Sequence, residues 1–268
     1  MRNAYSNKPS PVIAILVFYL VTSVGAMLFG LLQPSLDVPE VVIQLTQFGP
    51  TLGVAAVLFL WRHKKQPPFK LDLRLWPLQS NRITISAALI VITFAGAWLW
   101  FSVTGHAAAY TPPSALSHPF WLIVIAQFIG AAGEEIGWRC FLQPTLQNRI
   151  GVLPASIVVG ILWGIWHVGV FSEGIAYASF FILFAVSLSV ILGELMRNTR
   201  SGTLLLAAAY HALINLGLLL WFNEEDGSRL AMGTLSIACT IAAIIAVVVG
   251  RIARSKKRCT STNETSSI

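Results

Sequence analysis

Apolar residues run almost unbroken through eight stretches of the chain, at about 11–33, 41–61, 83–103, 119–148, 153–171, 177–196, 203–222 and 230–250. Most of the charged residues gather in the intervals between them. A helix crosses the ~30 Å hydrocarbon core with about 20 apolar residues, and it satisfies its own backbone polar groups there. The pattern therefore predicts an all-α fold, a polytopic membrane helix bundle of about eight transmembrane helices. The first stretch is too long for a signal-peptide core and lacks a small-residue cleavage site, so it reads as a retained helix. The fourth is longer than a bilayer requires and must tilt, kink or protrude, with Pro144 near its end as the expected break.

Composition agrees. Of 268 residues, 56% are hydrophobic and 11% charged, and mean hydropathy is +0.72. A soluble domain carries about 25% charged residues, so this chain cannot cover itself with a polar surface. The net charge of +7 is unevenly placed. Arg2 and Lys8 precede the first stretch; Arg62, Lys64, Lys65, Lys70, Arg74 and Arg82 fill the second connection. Arg149, the pair Arg197 and Arg200, and the group from Arg251 to Arg258 follow the fourth, sixth and eighth stretches. The alternate connections carry Arg229 alone, with Asp37, Glu40, Glu173, Glu224, Glu225 and Asp226. Positive charge favours the cytoplasmic side. Both termini are thus expected in the cytoplasm, with the cell membrane as the location. The basic excess is a topology signal with an attraction to anionic lipid, not a nucleic-acid footprint.

Residues 1–254 read as a single transmembrane domain, and 255–268 as a polar tail expected to be disordered. The segment 64–82 alternates apolar and polar residues in its middle, as either an interfacial stretch or a solvated basic loop. Cys140, Cys239 and Cys259 form no spaced pair, and Cys259 is too far from the end for a prenylation box. No internal repeat is visible.

Three stretches carry groups that lipid rejects: Glu134, Glu135 and Arg139 in the fourth, His167 in the fifth, His211 and Asn215 in the seventh. Such residues cost several kcal/mol in a span and face the bundle interior or a wet cavity. At ~1.5 Å per residue, Glu134, His167 and Asn215 lie roughly 20–24 Å of helix from the basic ends of their stretches, so all can meet at one level. Glu135 and Arg139, at i and i+4, share a face and can pair. Glu134 is about 140° round the helix from Arg139 and is free to face something else. Taken singly, the pair is a structural ion pair, His167 a hydrogen-bonded core histidine and Asn215 helix–helix glue. Glu194, near a helix end, is expected at the interface.

In order along the chain, "EEIGWR" 134–139, "WGIWH" 163–167 and "HALIN" 211–215 resemble the motifs E-E-x-x-x-R, aromatic-x-x-x-H and H-x-x-x-N of the CPBP family. These are the CAAX-protease and bacteriocin-processing intramembrane glutamic endopeptidases, also called Abi. The approach "RSGTLLLAAAYH" is similar too, and the resemblance covers about 118–222. Trp163 stands where the family more often has phenylalanine, a change expected to be conservative. The resemblance implies an endopeptidase in which Glu134 and His167 activate water, and His211 and Asn215 donate hydrogen bonds to the oxyanion. Glu135 and Arg139 would support the helix geometry. It implies a protein or peptide substrate, lipidated or membrane-embedded. No metal or other cofactor is expected, although Glu134, His167 and His211 are zinc-ligand types. The alternatives are a transporter or channel with a Glu–His proton relay, and a non-catalytic immunity or adaptor protein.

Overall fold

The computed structural model describes residues 10–63, 67–74, 80–107, 110–197, 199, 201–222 and 227–265. Among these lie nine α-helices: α1 (Pro11–Leu32), α2 (Gly49–Leu60), α3 (Ser80–Val103), α4 (Phe120–Gly137), α5 (Gln143–Ile150), α6 (Val152–Trp166), α7 (Ile175–Leu195), α8 (Thr203–Trp221) and α9 (Arg229–Thr265). The protein is a polytopic helical membrane bundle, with no strand among the described residues. Among the described residues six segments are long and apolar enough to span a bilayer: Pro11–Leu32, Asn81–Val103, Phe120–Ile150, Ile175–Leu195, Thr203–Trp221 and Arg229–Ser255.

The second and fifth stretches form shorter apolar helices than the hydropathy predicts, and each has a local cause. Ahead of α2, the Gln33 side chain donates to the carbonyls of Val38 (3.1 Å) and Ile43 (2.9 Å) and accepts from the Leu45 amide (2.8 Å). That clamp holds 38–44 out of helix; a 3-10 turn over Leu45–Phe48 follows, and α2 starts at Gly49 and Pro50, where proline is tolerated. In α6 the helix stops at Trp166. The ring of His167 takes the Trp163 carbonyl through Nδ1 at 2.9 Å, the carbonyl that the His167 amide would use in a continuing helix. His167 then has ψ +66°, and one tight turn over Val168–Phe171 follows.

The long fourth stretch bends by a wide turn rather than a break. Between α4 and α5 the backbone forms a π turn over Trp138–Leu142, and Pro144 sits in the first turn of α5. Proline has no N–H to give the carbonyl four residues back, that of Cys140. The Lys70 amide donates to it instead, at 2.8 Å. The 67–74 part of the basic connection is therefore pinned to the bundle, with Pro67 buried and Phe69 packed on the core. Residues 75–79 of that connection lie outside the described residues. At the other end of the chain, α9 stays helical to Thr265, beyond residue 255 where the polar tail was expected to begin. A helix already nucleated propagates at one bond per residue, which carries it into a polar sequence.

Helix α6 packs on α7, α7 on α9, α1 on α2, α2 on α4, and α4 on α8. Side chains such as Leu16, Leu20, Val91, Leu99, Ile237 and Ile244 face outward from α1, α3 and α9, which suits a lipid solvent. Between membrane helices, close packing through small residues replaces the hydrophobic effect as the driving force. A Cβ on Gly160 of α6 would come within 2.4 Å of the Val186 Cα on α7, and one on Gly137 within 2.4 Å of the Pro50 Cβ on α2. The first contact is backbone to backbone and cannot be relieved by a rotamer change. Gly160→Val is expected to cost about 1–3 kcal/mol by overpacking and to lower the melting temperature in detergent. Ile161→Val on the exposed face of the same helix should leave it unchanged.

Candidate active site

Helices α4, α6 and α8 bring the four proposed reacting residues to one place. Glu134, His167, His211 and Asn215 all line a cavity of about 340 Å³. Its far wall is Tyr177, Phe181, Phe184 and Leu188 of α7. At one end it meets Glu40, Gln44, Gly169, Glu173 and Gly227, from the connections that carry the acidic residues. Glu135 and Arg139 do not line it.

The two glutamates differ as their helical phase predicts. Glu134 is 2% exposed and accepts a hydrogen bond on each oxygen: from the Trp163 indole N–H at 2.7 Å and from Gln47 Nε2 at 3.3 Å. Each carboxylate oxygen has a second lone pair, so it can still accept from a water. Glu135 turns away and forms an ion pair with Arg139, Oε2 to Nε 3.2 Å, with both side chains almost wholly buried. Its other oxygen takes His211 Nδ1 at 2.9 Å. Glu135 thus does more than support its own helix, the role expected of it: it ties α4 to α8 through a residue of the cavity wall. Arg139 in turn donates to Ser189 Oγ on α7 at 3.0 Å and lies 4.4 Å over the Trp163 ring, while its Nη1 has no hydrogen-bond partner among the described residues.

Both histidines are held by Nδ1. A carbonyl only accepts, so His167 Nδ1 carries the proton toward Trp163 O and, in the neutral ring, Nε2 keeps the lone pair. Trp163, Trp166 and Phe181 surround this ring, at centroid distances of 5.7, 4.9 and 4.9 Å. His211 Nδ1 faces a carboxylate that also accepts, so its Nε2 can donate only when the ring is doubly protonated. Asn215 donates through Nδ2 to Gln127 Oε1 at 3.1 Å.

Three participants were not foreseen. Gln127 lies seven residues, nearly two turns, before Glu134, and that spacing on α4 was the available signal. Gln47 has only its polarity within an apolar run to mark it. Trp163 was expected to be a conservative replacement of phenylalanine, yet its indole N–H makes the shorter of the two bonds to Glu134, and phenylalanine has no such donor. Among the described residues no group of three or more His, Cys, Asp or Glu side chains is placed to hold a metal ion.

Residues 116–217 match the family described as "Rce1-like: Type II CAAX prenyl endopeptidase Rce1-like". Through this segment the chain is similar to that family. The matched Rce1-like segment contains Glu134, Glu135, Arg139, Trp163, His167, His211 and Asn215. The chain is also similar to proteins named lysostaphin resistance protein A. It is 25% identical over 246 residues to that of Staphylococcus haemolyticus, covering 90% of this chain and 66% of that protein. It is 24% identical over 241 residues to that of Staphylococcus epidermidis, covering 90% and 63%. With that of Staphylococcus aureus it is 25% identical over 240 residues, covering 86% and 55%. The chain spans about half to two-thirds of the length of these curated relatives. The matched family is one of prenyl endopeptidases, and the six apolar segments mark this chain as an integral membrane protein.

The ion-pair geometry separates stability from chemistry. Breaking a buried pair by removing one partner costs about 3–5 kcal/mol. Glu135→Gln and Arg139→Ala are each expected to lower the melting temperature and the yield of folded protein. The double change Glu135→Gln with Arg139→Met should recover part of that loss, because no orphaned charge remains. Additive losses in the double variant, read by thermal unfolding in detergent, would count against the pair.

Proposed function

We propose that this protein is an intramembrane endopeptidase in which Glu134, assisted by His167, activates a water molecule against a peptide bond. The observation that carries the reading is the convergence of Glu134, His167, His211 and Asn215 on one cavity, with Glu135 and Arg139 set behind it. Glu134 takes a proton from the water as its oxygen bonds to the carbonyl carbon. The carbonyl oxygen becomes an oxyanion beside His211 and Asn215, donors of the kind that act strongly where water is scarce. The proton then passes to the departing amine as the C–N bond breaks, leaving a new carboxylate and a new amine. His167 orients the water through Nε2. The Glu135 carboxylate supplies the negative charge beside a doubly protonated His211, the form that can donate. The chemistry uses no metal.

Substrate access follows from the same geometry. The cavity ends among the acidic connections, at Glu40 and Glu173. With the termini and arginine-rich connections in the cytoplasm, as charge bias favours, the substrate is a protein or peptide, lipidated or membrane-embedded, reached from the opposite face of the cell membrane. In a background lacking Cys259, a cysteine at Ser228 should be labelled by an impermeant maleimide on intact cells, and one at His63 should not. Both positions are exposed. The reverse pattern would invert the topology.

Glu134→Gln tests the chemistry. A positioned base contributes about 10²–10⁴-fold to rate. Cleavage of a reporter peptide by purified protein should therefore fall at least 100-fold in this variant, at an unchanged melting temperature, while a zinc chelator leaves the unmodified protein active. The staphylococcal relatives are named for resistance, and the second reading is a resistance protein that acts without cleavage. That reading requires a Glu134→Gln protein that keeps full biological activity in cells.

A further inference from the structure

A second and larger hollow lies away from the Glu134 cavity. It is a groove of about 920 Å³ between α3 and α9, closed at one end by the last turn of α7. Its walls are apolar: Ile85, Leu89 and Ile92 on α3, Ile245, Ala246 and Val249 on α9. Its closed end is charged, with Arg82, Arg197 and Arg254 around Glu194. The position of that end is fixed by three spans at once. Arg82 opens the span Asn81–Val103, Glu194 closes Ile175–Leu195, and Arg254 closes Arg229–Ser255. The guanidiniums therefore lie at one bilayer boundary. From Arg82 to Ile92 the groove follows α3 for roughly 15 Å, about half of the ~30 Å hydrocarbon core, the depth of one leaflet.

The charge does not cancel. Glu194 is 6% exposed at its side chain and lies beneath Arg197, 24% exposed, and Arg254, 37% exposed. Arg197 donates to it through Nε at 2.9 Å and through Nη2; Arg254 donates through Nη1 at 2.9 Å. Arg82 donates to the backbone carbonyls of Leu195 and Arg197. Each guanidinium has five N–H donors, so the bonds to Glu194 leave donors on Arg197 and Arg254. Arg197 and Arg254 bring two cations to the single Glu194 carboxylate, and their remaining donors are open to an anion entering from the groove. Gly250 leaves the space this needs, since a Cβ there would come within 3.0 Å of both Arg254 Nη1 and Glu194 Oε2.

An apolar slot one leaflet deep, ending in surplus guanidinium charge at the interface, has the shape and charge of an anionic amphiphile. Basic pockets between membrane helices on the cytoplasmic side hold acidic headgroups by this chemistry. We propose that the α3–α9 groove binds an anionic phospholipid of the leaflet on the arginine-rich side, with its phosphate against Arg197 and Arg254 and an acyl chain along the two helices. The inference does not rest on the peptidase reading, and its test reads lipid binding alone.

Purified protein is titrated with phosphatidylglycerol, with phosphatidylcholine of the same acyl chains, and with glycerol 3-phosphate, and binding is followed by native mass spectrometry and by melting temperature. Phosphatidylglycerol should be retained and raise the melting temperature, and the other two should do neither. Arg254→Gln should weaken retention at least tenfold. So should Ala88→Trp, which fills the groove from an exposed position and changes no charge, and which decides the matter if loss of an arginine unfolds the protein. Equal binding of phosphatidylcholine, displacement of lipid by glycerol 3-phosphate alone, or undiminished retention in folded Ala88→Trp would each overturn the proposal.

Discussion

Glu135 is the residue on which the site depends. A carboxylate removed from water must be compensated on each oxygen, or it costs more than a small bundle can bear. Here one oxygen meets Arg139 and the other His211, and Arg139 reaches on to Ser189. Three helices, α4, α7 and α8, are thereby held in one register by a single chain of charge. The register decides where His211 stands, and so decides the shape of the cavity wall. The charged groups here are positioned by the opposite charges they need once water is excluded.

Glu134 obeys a different rule one residue away. Its two donors, Trp163 and Gln47, carry no formal charge. They fix the carboxylate in direction without neutralising it. That combination suits the proposed role of a base, because a cationic partner at ion-pair distance favours the ionised form of a carboxylate and weakens its claim on a proton. The adjacent glutamates therefore divide the work by neighbour, and a shift of one residue along a helix is enough to change the neighbours completely.

Much of this was legible before the fold. Long apolar runs can only be helices in lipid, so the bundle followed from hydropathy, and the i, i+4 spacing of Glu135 and Arg139 predicted their pairing. The shortening of the second and fifth stretches was not legible, because each is caused by a side chain turned on the backbone: Gln33 on the loop before α2, His167 on the end of α6. Hydropathy weighs side chains by what they contain, not by where they bond. The same blindness hid Trp163. As an aromatic it fits the motif, and its N–H has meaning only once Glu134 is known to lie within reach on another helix. Gln47 was hidden likewise, since a lone amide in an apolar run gives no direction of approach.

The π turn between α4 and α5 has a consequence of phase. A π turn holds one residue more than an α-helical turn, so all that follows is rotated by about 100° from the course of an uninterrupted helix. With this offset Gln143 meets Ser156 on α6 at 3.1 Å, and the rest of α5 packs along the same neighbour. The extra residue acts as a gear between two faces of one long helix: the part before it is set by the cavity, the part after it by α6. Removing one residue from this turn would leave Ser156 and the rest of α6 in place and yet turn α5 away from them.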